Sequence, residues 1–333
     1  MTFDQRVREI AAKGFTERQA RFLVTVMLHS GVCMIRQYCA FAGQVYGQKG
    51  RSFFAELTAR KLATAFDCAH SRARIYHVHH RALYEAIGEP HSRLRKPLAV
   101  ARAVENVMLL DAIITRQDVT WLATEREKTA HFAMCVGNAI RREEFPHLVF
   151  GDGPSTTVRY FPDRLPIGVE PRDHHVFLYL VTREVPVDFR PFLLRHAALL
   201  RALPSWTIRL LVPGHLTEAT DAYLSAARQE LAAPLRPVVI DELHWYFEER
   251  RRLEASQNGA TSSDPARYER LRKGFGAPRY TVLYRTWTHV GDRALSSLGS
   301  RVLADALERK TGRIEWQSLP RPYLHLSPLV GTA

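Results

Sequence analysis

Gln48, Lys49, Arg51, Ser52, Arg60, Lys61, Arg72 and Arg74 fall within one short stretch and combine two kinds of chemistry. The lysines and arginines can neutralise backbone phosphates, while Gln48 and Ser52 can hydrogen-bond the edges of bases. Charge across the chain favours the same partner. The 333 residues carry 47 Lys+Arg against 34 Asp+Glu, a formal net charge of +13. Residues 1–100 hold 16 basic and 7 acidic side chains, whereas residues 101–150 hold 6 and 7, and the remainder 25 and 20. An excess concentrated in the first third points to one nucleic-acid-binding module, not to a generally basic surface.

Histidine and cysteine offer a second chemistry. His77, His79 and His80 lie in a His-Val-His-His run, with Cys68-Ala69-His70 just upstream. Structural zinc takes four N/S ligands in tetrahedral reach. Cys68, His70, His77 and His79 can converge across one hairpin, but their spacing matches no common finger. The simpler expectation is strand histidines near phosphate, with no metal and no cofactor. Cys33, Cys39 and Cys135 read as small core residues on apolar helical faces. The chain has no Gly-x4-Gly-Lys-Ser/Thr loop, no Gly-x-Ser-x-Gly elbow and no His-Glu-x2-His, so nucleotide hydrolysis, esterase and metalloprotease chemistry lack their signatures. Gly151-Asp152-Gly153-Pro154 reads as a turn, and the five tryptophans as core or interface anchors. No apolar run reaches the roughly 18 residues of a membrane span. Four scattered cysteines and a polar N-terminus lead us to expect a cytoplasmic protein.

The elements that must position these residues can be read from periodicity. Thr16-Glu17-Arg18-Gln19 is a capping box, and Ala20, Leu23, Val24, Met27 and Leu28 follow at helical spacing until Gly31. A second helix is expected from Ile35 to Ala42 and a third from about Gln48 to Ala63, with Phe53, Phe54, Leu57 and Leu62 apolar. Two strand-like runs follow, Thr64–Cys68 and Arg74–His79, joined by a turn at Ala69-His70-Ser71-Arg72-Ala73. Three helices and a hairpin in this order are those of a winged helix-turn-helix, whose third helix enters the major groove. Helices are expected over Ala82–Ile87, Leu98–Arg116 and Val119–His131. Beyond Phe145 the pattern turns to strands at Thr156–Phe161, His175–Thr182 and Trp206–Val212, with helices at Phe189–Leu203 and Thr217–Leu231. A charged helix over 240–255, a loop at Ser256–Asp264, a strand at Tyr280–Trp287, a helix from Arg293 to Lys310 and β runs near Ile314 and Tyr323 complete the reading. The fold class is α+β or α/β.

Phe15-Thr16-Glu17-Arg18-Gln19, the winged-helix order through His79 and the later Tyr160-Phe161-Pro162-Asp163 resemble the replication-relaxation family of mobile-element proteins. The resemblance is strongest over residues 15–80. It implies DNA binding and a C-terminal module similar to restriction-endonuclease folds. An active nuclease of that kind needs a Pro-Asp and, on the next strand, an acidic residue two positions before a Lys, to hold Mg²⁺ and position water. Pro162-Asp163 supplies the first half, but the acidic and Lys positions fall at about Tyr179 and Val181. Asp163, Glu170 and Arg172 form a weaker substitute, interrupted by Pro171.

The resulting expectation has three parts: a winged helix-turn-helix over residues 1–95, a helical connector over 96–135, and an endonuclease-like α/β domain without catalytic activity over 136–333. The chain is expected to bind double-stranded DNA in a regulatory role tied to a plasmid or integrated element, with a homodimer through the connector as one arrangement. The alternatives are a metal-dependent nuclease using Asp163 and a protein-interaction adaptor. No membrane partner is expected.

Overall fold

A computed structural model describes residues 1–68, 73–151, 155–256, 261–296, 299–319 and 321–326. The first helices are α1 (Phe3–Ala11) and α2 (Glu17–His29). Thr16 closes the expected capping box, its Oγ1 accepting from the Gln19 N–H at 3.3 Å while Gln19 Oε1 accepts from the Thr16 N–H at 2.9 Å. Besides the five apolar positions read from the sequence, Phe22 and Val26 of α2 are buried, because the helix runs through the middle of its unit. Gly31 turns the chain with φ +69°, and a Cβ there would lie 2.5 Å from the Leu94 carbonyl oxygen.

That turn leads into β1 (Val32–Cys33), α3 (Ile35–Phe41), α4 (Gln48–Ala59), β2 (Ala63–Asp67), β3 (Arg74–Val78) and α5 (Arg81–Ala86). The three strands form an antiparallel sheet in the order β1-β3-β2, with Thr64 opposite His77 and Asp67 opposite Arg74. β1 has only two residues, and nothing in the sequence pattern announced it. Phe22, Tyr38, Phe53, Phe54 and Tyr76 form an aromatic core under α4.

Helix α6 (Val100–Ile114) is buried almost all round from Ala103 onward. Leu110 and Ile114 join the N-terminal core, whereas Val104, Val107 and Met108 pack with residues of the larger sheet. Two polar residues on this helix are satisfied by other elements. The Asn106 amide donates to the Ser30 carbonyl at 2.8 Å. Asp111 accepts two bonds from Arg36, at 2.8 and 2.7 Å, one from Gln37 at 2.9 Å and one from the Tyr323 hydroxyl at 2.6 Å. The apolar face that a dimer through this helix would need is taken up by packing within the chain.

The larger sheet contains β4 (Thr120–Leu122), β7 (Ile167–Glu170), β8 (His174–Leu180), β9 (Trp206–Val212) and β10 (Gly312–Ser318), in the order β10-β9-β8-β7-β4. β8, β9 and β10 run parallel, and β7 and β4 are antiparallel to their neighbours. Between β4 and β7 lie α7 (Glu125–Val136) and a separate hairpin of β5 (His147–Phe150) and β6 (Thr157–Tyr160). Val176, Leu178 and Leu180 of β8 face α6. Phe177, Tyr179 and Val181 face α8 (Phe189–Ala202) and α9 (Thr220–Leu231). This is the two-sided burial expected of the apolar run at 175–182. A fourth cluster joins α10 (Pro237–Ala255), α11 (Pro265–Gly274), α12 (Pro278–Val290) and α13 (Arg293–Ser296), before α14 (Arg301–Glu308) returns to the sheet. The result is a mixed α+β chain with several sheets.

Four assignments change. The strand expected at Tyr280–Trp287 is part of helix α12, with Pro278 at its first turn and Leu283, Tyr284 and Trp287 packed into a helical cluster. The helix expected from Val119 is β4 followed by α7, whose start is fixed by a capping box between Thr124 and Glu127. The helix from Arg293 to Lys310 is divided, with Gly299 at φ +58° against Pro234. The terminal run near Tyr323 is a short 3-10 turn, Leu324–Leu326. The loop at 256–264 and the turn at 151–154 lie in part outside the described residues. No described helix is long and apolar enough to cross a membrane.

Candidate nucleic-acid interface

Helix α4 owes its orientation to Gly50. A Cβ at this position would meet Cys39 Sγ at 3.1 Å and Ile35 Cγ2 at 3.2 Å, so glycine lets α4 cross close to α3. Phe53, Phe54 and Leu57 then enter the core. Gln48, Lys49, Arg51 and Ser52 are left exposed on the opposite side, at the N-terminal end of the helix. That end also carries backbone N–H groups with no partner inside the helix.

Open grooves flank α4. One, about 1360 Å³, lies between α4 and the β2–β3 sheet and brings Arg51, Lys61 and Arg74 together with Tyr46, Thr58 and Thr64. The other is lined by Gln48, Lys49 and Ser52 with Arg18, Gln44 and Gln117. α4 is therefore a ridge with cations on both flanks and amides on one. Arg72 lies outside the described residues.

The cations differ in how far their charge is already engaged. Among the described residues, Lys49, Arg51 and Lys61 have no carboxylate partner, and the Arg51 guanidinium lies 5.5 Å from the centre of the Tyr46 ring. Arg74 donates to Asp67 at 2.8 Å across the β2–β3 pair. Arg60 is more fully committed: it donates to Glu56 and to the Lys13 carbonyl, both at 2.8 Å, and its guanidinium lies 4.8 Å from the centre of the Phe15 ring. Arg60 thus fastens the end of α4 to the α1–α2 turn. Tyr46 lines the groove, and it is a surface aromatic that the sequence reading passed over.

The histidines near the hairpin serve separate roles. His77 is buried, with Nε2 2.9 Å from the Leu94 carbonyl, and His79 Nε2 lies 2.8 Å from Thr64 Oγ1. Burial and the neighbouring His77 lower the His79 pKa, which favours the neutral ring. Cys68, His77 and His79 are not gathered as metal ligands, and His70 lies outside the described residues. Two cysteine assignments also change. Cys33 is buried on a strand, not a helix, and Cys135 is exposed on α7 with its Sγ 3.3 Å from His131 Nε2. Cys39 is buried on α3 as expected.

Asp163 lies at the edge of the sheet's other core. One carboxylate oxygen accepts from Arg195, and the other is buried without a partner among the described residues. The nearby Lys128 is buried and donates to the Leu165 carbonyl at 2.7 Å. Burial lowers its pKa to about 8, opposed by the Asp163 charge. Glu170 pairs with Arg116 at 2.9 Å, so Asp163 and Glu170 each bind a different arginine. Tyr179 and Val181, at the positions where a nuclease would carry its acid and lysine, are core residues.

No family model matches the chain, nor does any curated protein or solved structure.

Proposed function

We propose that the N-terminal unit binds double-stranded DNA as a winged helix-turn-helix. α4 would lie in the major groove and the β2–β3 hairpin against the phosphate backbone. One observation carries this reading: Gln48, Lys49, Arg51 and Ser52 all project from the outer end of α4, beside a groove that Arg51 shares with Lys61 and Arg74. In this reading Lys49, Arg51, Lys61, Arg72 and Arg74 neutralise phosphates, and Gln48 and Ser52 meet base edges. In this reading the role is regulatory and non-catalytic. Arg60 is held by Glu56 and Lys13, so it supports the helix more than it contacts DNA.

Salt dependence tests the reading. Neutralising about five phosphates gives a slope of log K against log salt near −4 to −5. Fluorescence anisotropy with a random-sequence duplex across a salt series measures it, and a flat response removes the proposal. Lys49→Ala combined with Arg51→Ala weakens binding to every duplex and makes the slope shallower by about 2. Gln48→Ala leaves the slope unchanged and alters the ranking of sequences in a binding selection.

A further inference from the structure

We propose that His131, Cys135 and His175 form a binding site for a zinc-class divalent cation at the junction of α7 with the β7–β8 turn. His131 and Cys135 are one helical turn apart on α7, and His175 reaches them from β8, 44 positions away from His131. The two imidazole Nε2 atoms lie 2.8 Å apart, Cys135 Sγ lies 3.3 Å from His131 Nε2, and all three ligand atoms fall within 4.8 Å of one another. In a tetrahedral zinc site with Zn–N near 2.0–2.1 Å and Zn–S near 2.3 Å, neighbouring ligand atoms are about 3.3–3.6 Å apart. The two rings need to open by about half an ångström to admit the ion.

The chemistry of the surroundings favours a cation. His175 is fully buried and, among the described residues, its Nδ1 has no hydrogen-bond partner, an arrangement that leaves Nε2 as its one engaged nitrogen. Asp173 adds a carboxylate whose charge acts on all three side chains. It sits in the β7–β8 turn, where Arg172 and Asp173 adopt consecutive positive φ values of 64° and 54°. Non-glycine residues rarely adopt this conformation. Three protein ligands leave a fourth coordination position open on the exposed side of Cys135. On binding, the Cys135 thiol gives its proton to solvent and its sulfur electron pair to the metal. The proton between the two rings moves to an Nδ1, so one proton is released per ion.

Co²⁺ titration of the full-length, chelator-treated protein tests this. One equivalent of Co²⁺ is expected to produce thiolate-to-metal charge-transfer absorption, which Zn²⁺ then displaces. Cys135→Ser abolishes that absorption, while Cys68→Ser leaves it unchanged. His131→Ala on the half-buried helix face weakens Zn²⁺ binding by more than the ~10–100-fold that outer-shell changes cost. Absence of one-equivalent binding, or charge-transfer absorption that survives Cys135→Ser, overturns the proposal. Circular dichroism of each variant identifies any loss caused by misfolding, and the Cys135→Ser result stands on an exposed residue whose change spares the core.

Discussion

Asp111 illustrates how much a single buried acid can hold. Its carboxylate accepts from Arg36 and Gln37 of α3 and from Tyr323 near the C-terminus. Asp111→Ala leaves a guanidinium, an amide and a hydroxyl facing an apolar space, and we expect it to destabilise the protein by about 3–5 kcal/mol in denaturant unfolding. Tyr323→Phe removes one hydrogen bond and is expected to cost about 1 kcal/mol. Lys128 provides a pH signature at the same scale. Its folded pKa of about 8 is below the unfolded value, so the unfolded chain binds more protons between about pH 8 and 10.4. The Lys128 contribution therefore rises with pH across that window and falls again as pH drops through 8. Subtracting the stability curve of Lys128→Met from that of the native protein isolates this slope, and parallel curves would refute it. His196, fully buried with its pKa lowered to about 4, acts on the acid side. Its contribution is complete above about pH 6.5 and is lost toward pH 4, a change on the order of 3 kcal/mol that a His196→Gln comparison measures.

Among the elements, the α3–α4 crossing decides where the exposed cations point. Gly50→Leu forces a side chain into the space occupied by Cys39 and Ile35. It should cost about 1–3 kcal/mol of stability and weaken duplex binding even under conditions where the protein remains folded. The elements around the site were legible because their signals are local. Thr16 and Gln19 marked the start of α2, and the apolar runs at 175–182 and 206–212 marked β8 and β9. Where tertiary context decides, the sequence misleads. Tyr280, Thr281, Val282, Tyr284, Thr286 and Trp287 favour strands by type, yet packing against α10 holds them in a helix. β1 is too short to show a period and exists because β3 pairs with it. The sequence reading did not pair His131 with Cys135, because it ended the helix at His131, and their partner His175 arrives through the β7–β8 turn, which no local pattern reveals.

At the scale of the whole molecule, α6 contributes to the N-terminal core and to the face of the five-stranded sheet. Unfolding monitored at Trp206 in the sheet and by helical ellipticity should therefore follow one cooperative transition. Two separated midpoints would show that the units melt independently. A fragment ending at residue 95 lacks Leu110 and Ile114 of that core and is expected to be less stable than the full chain. In the proposed DNA complex, helix α6 also shapes what the assembled molecule can do on a duplex. An element wedged between two cores leaves no slack for one to swivel against the other. Any molecule captured by the strands and helices beyond residue 136 would be held at a constant bearing from the double helix, as on a fixed bracket and not on a tether.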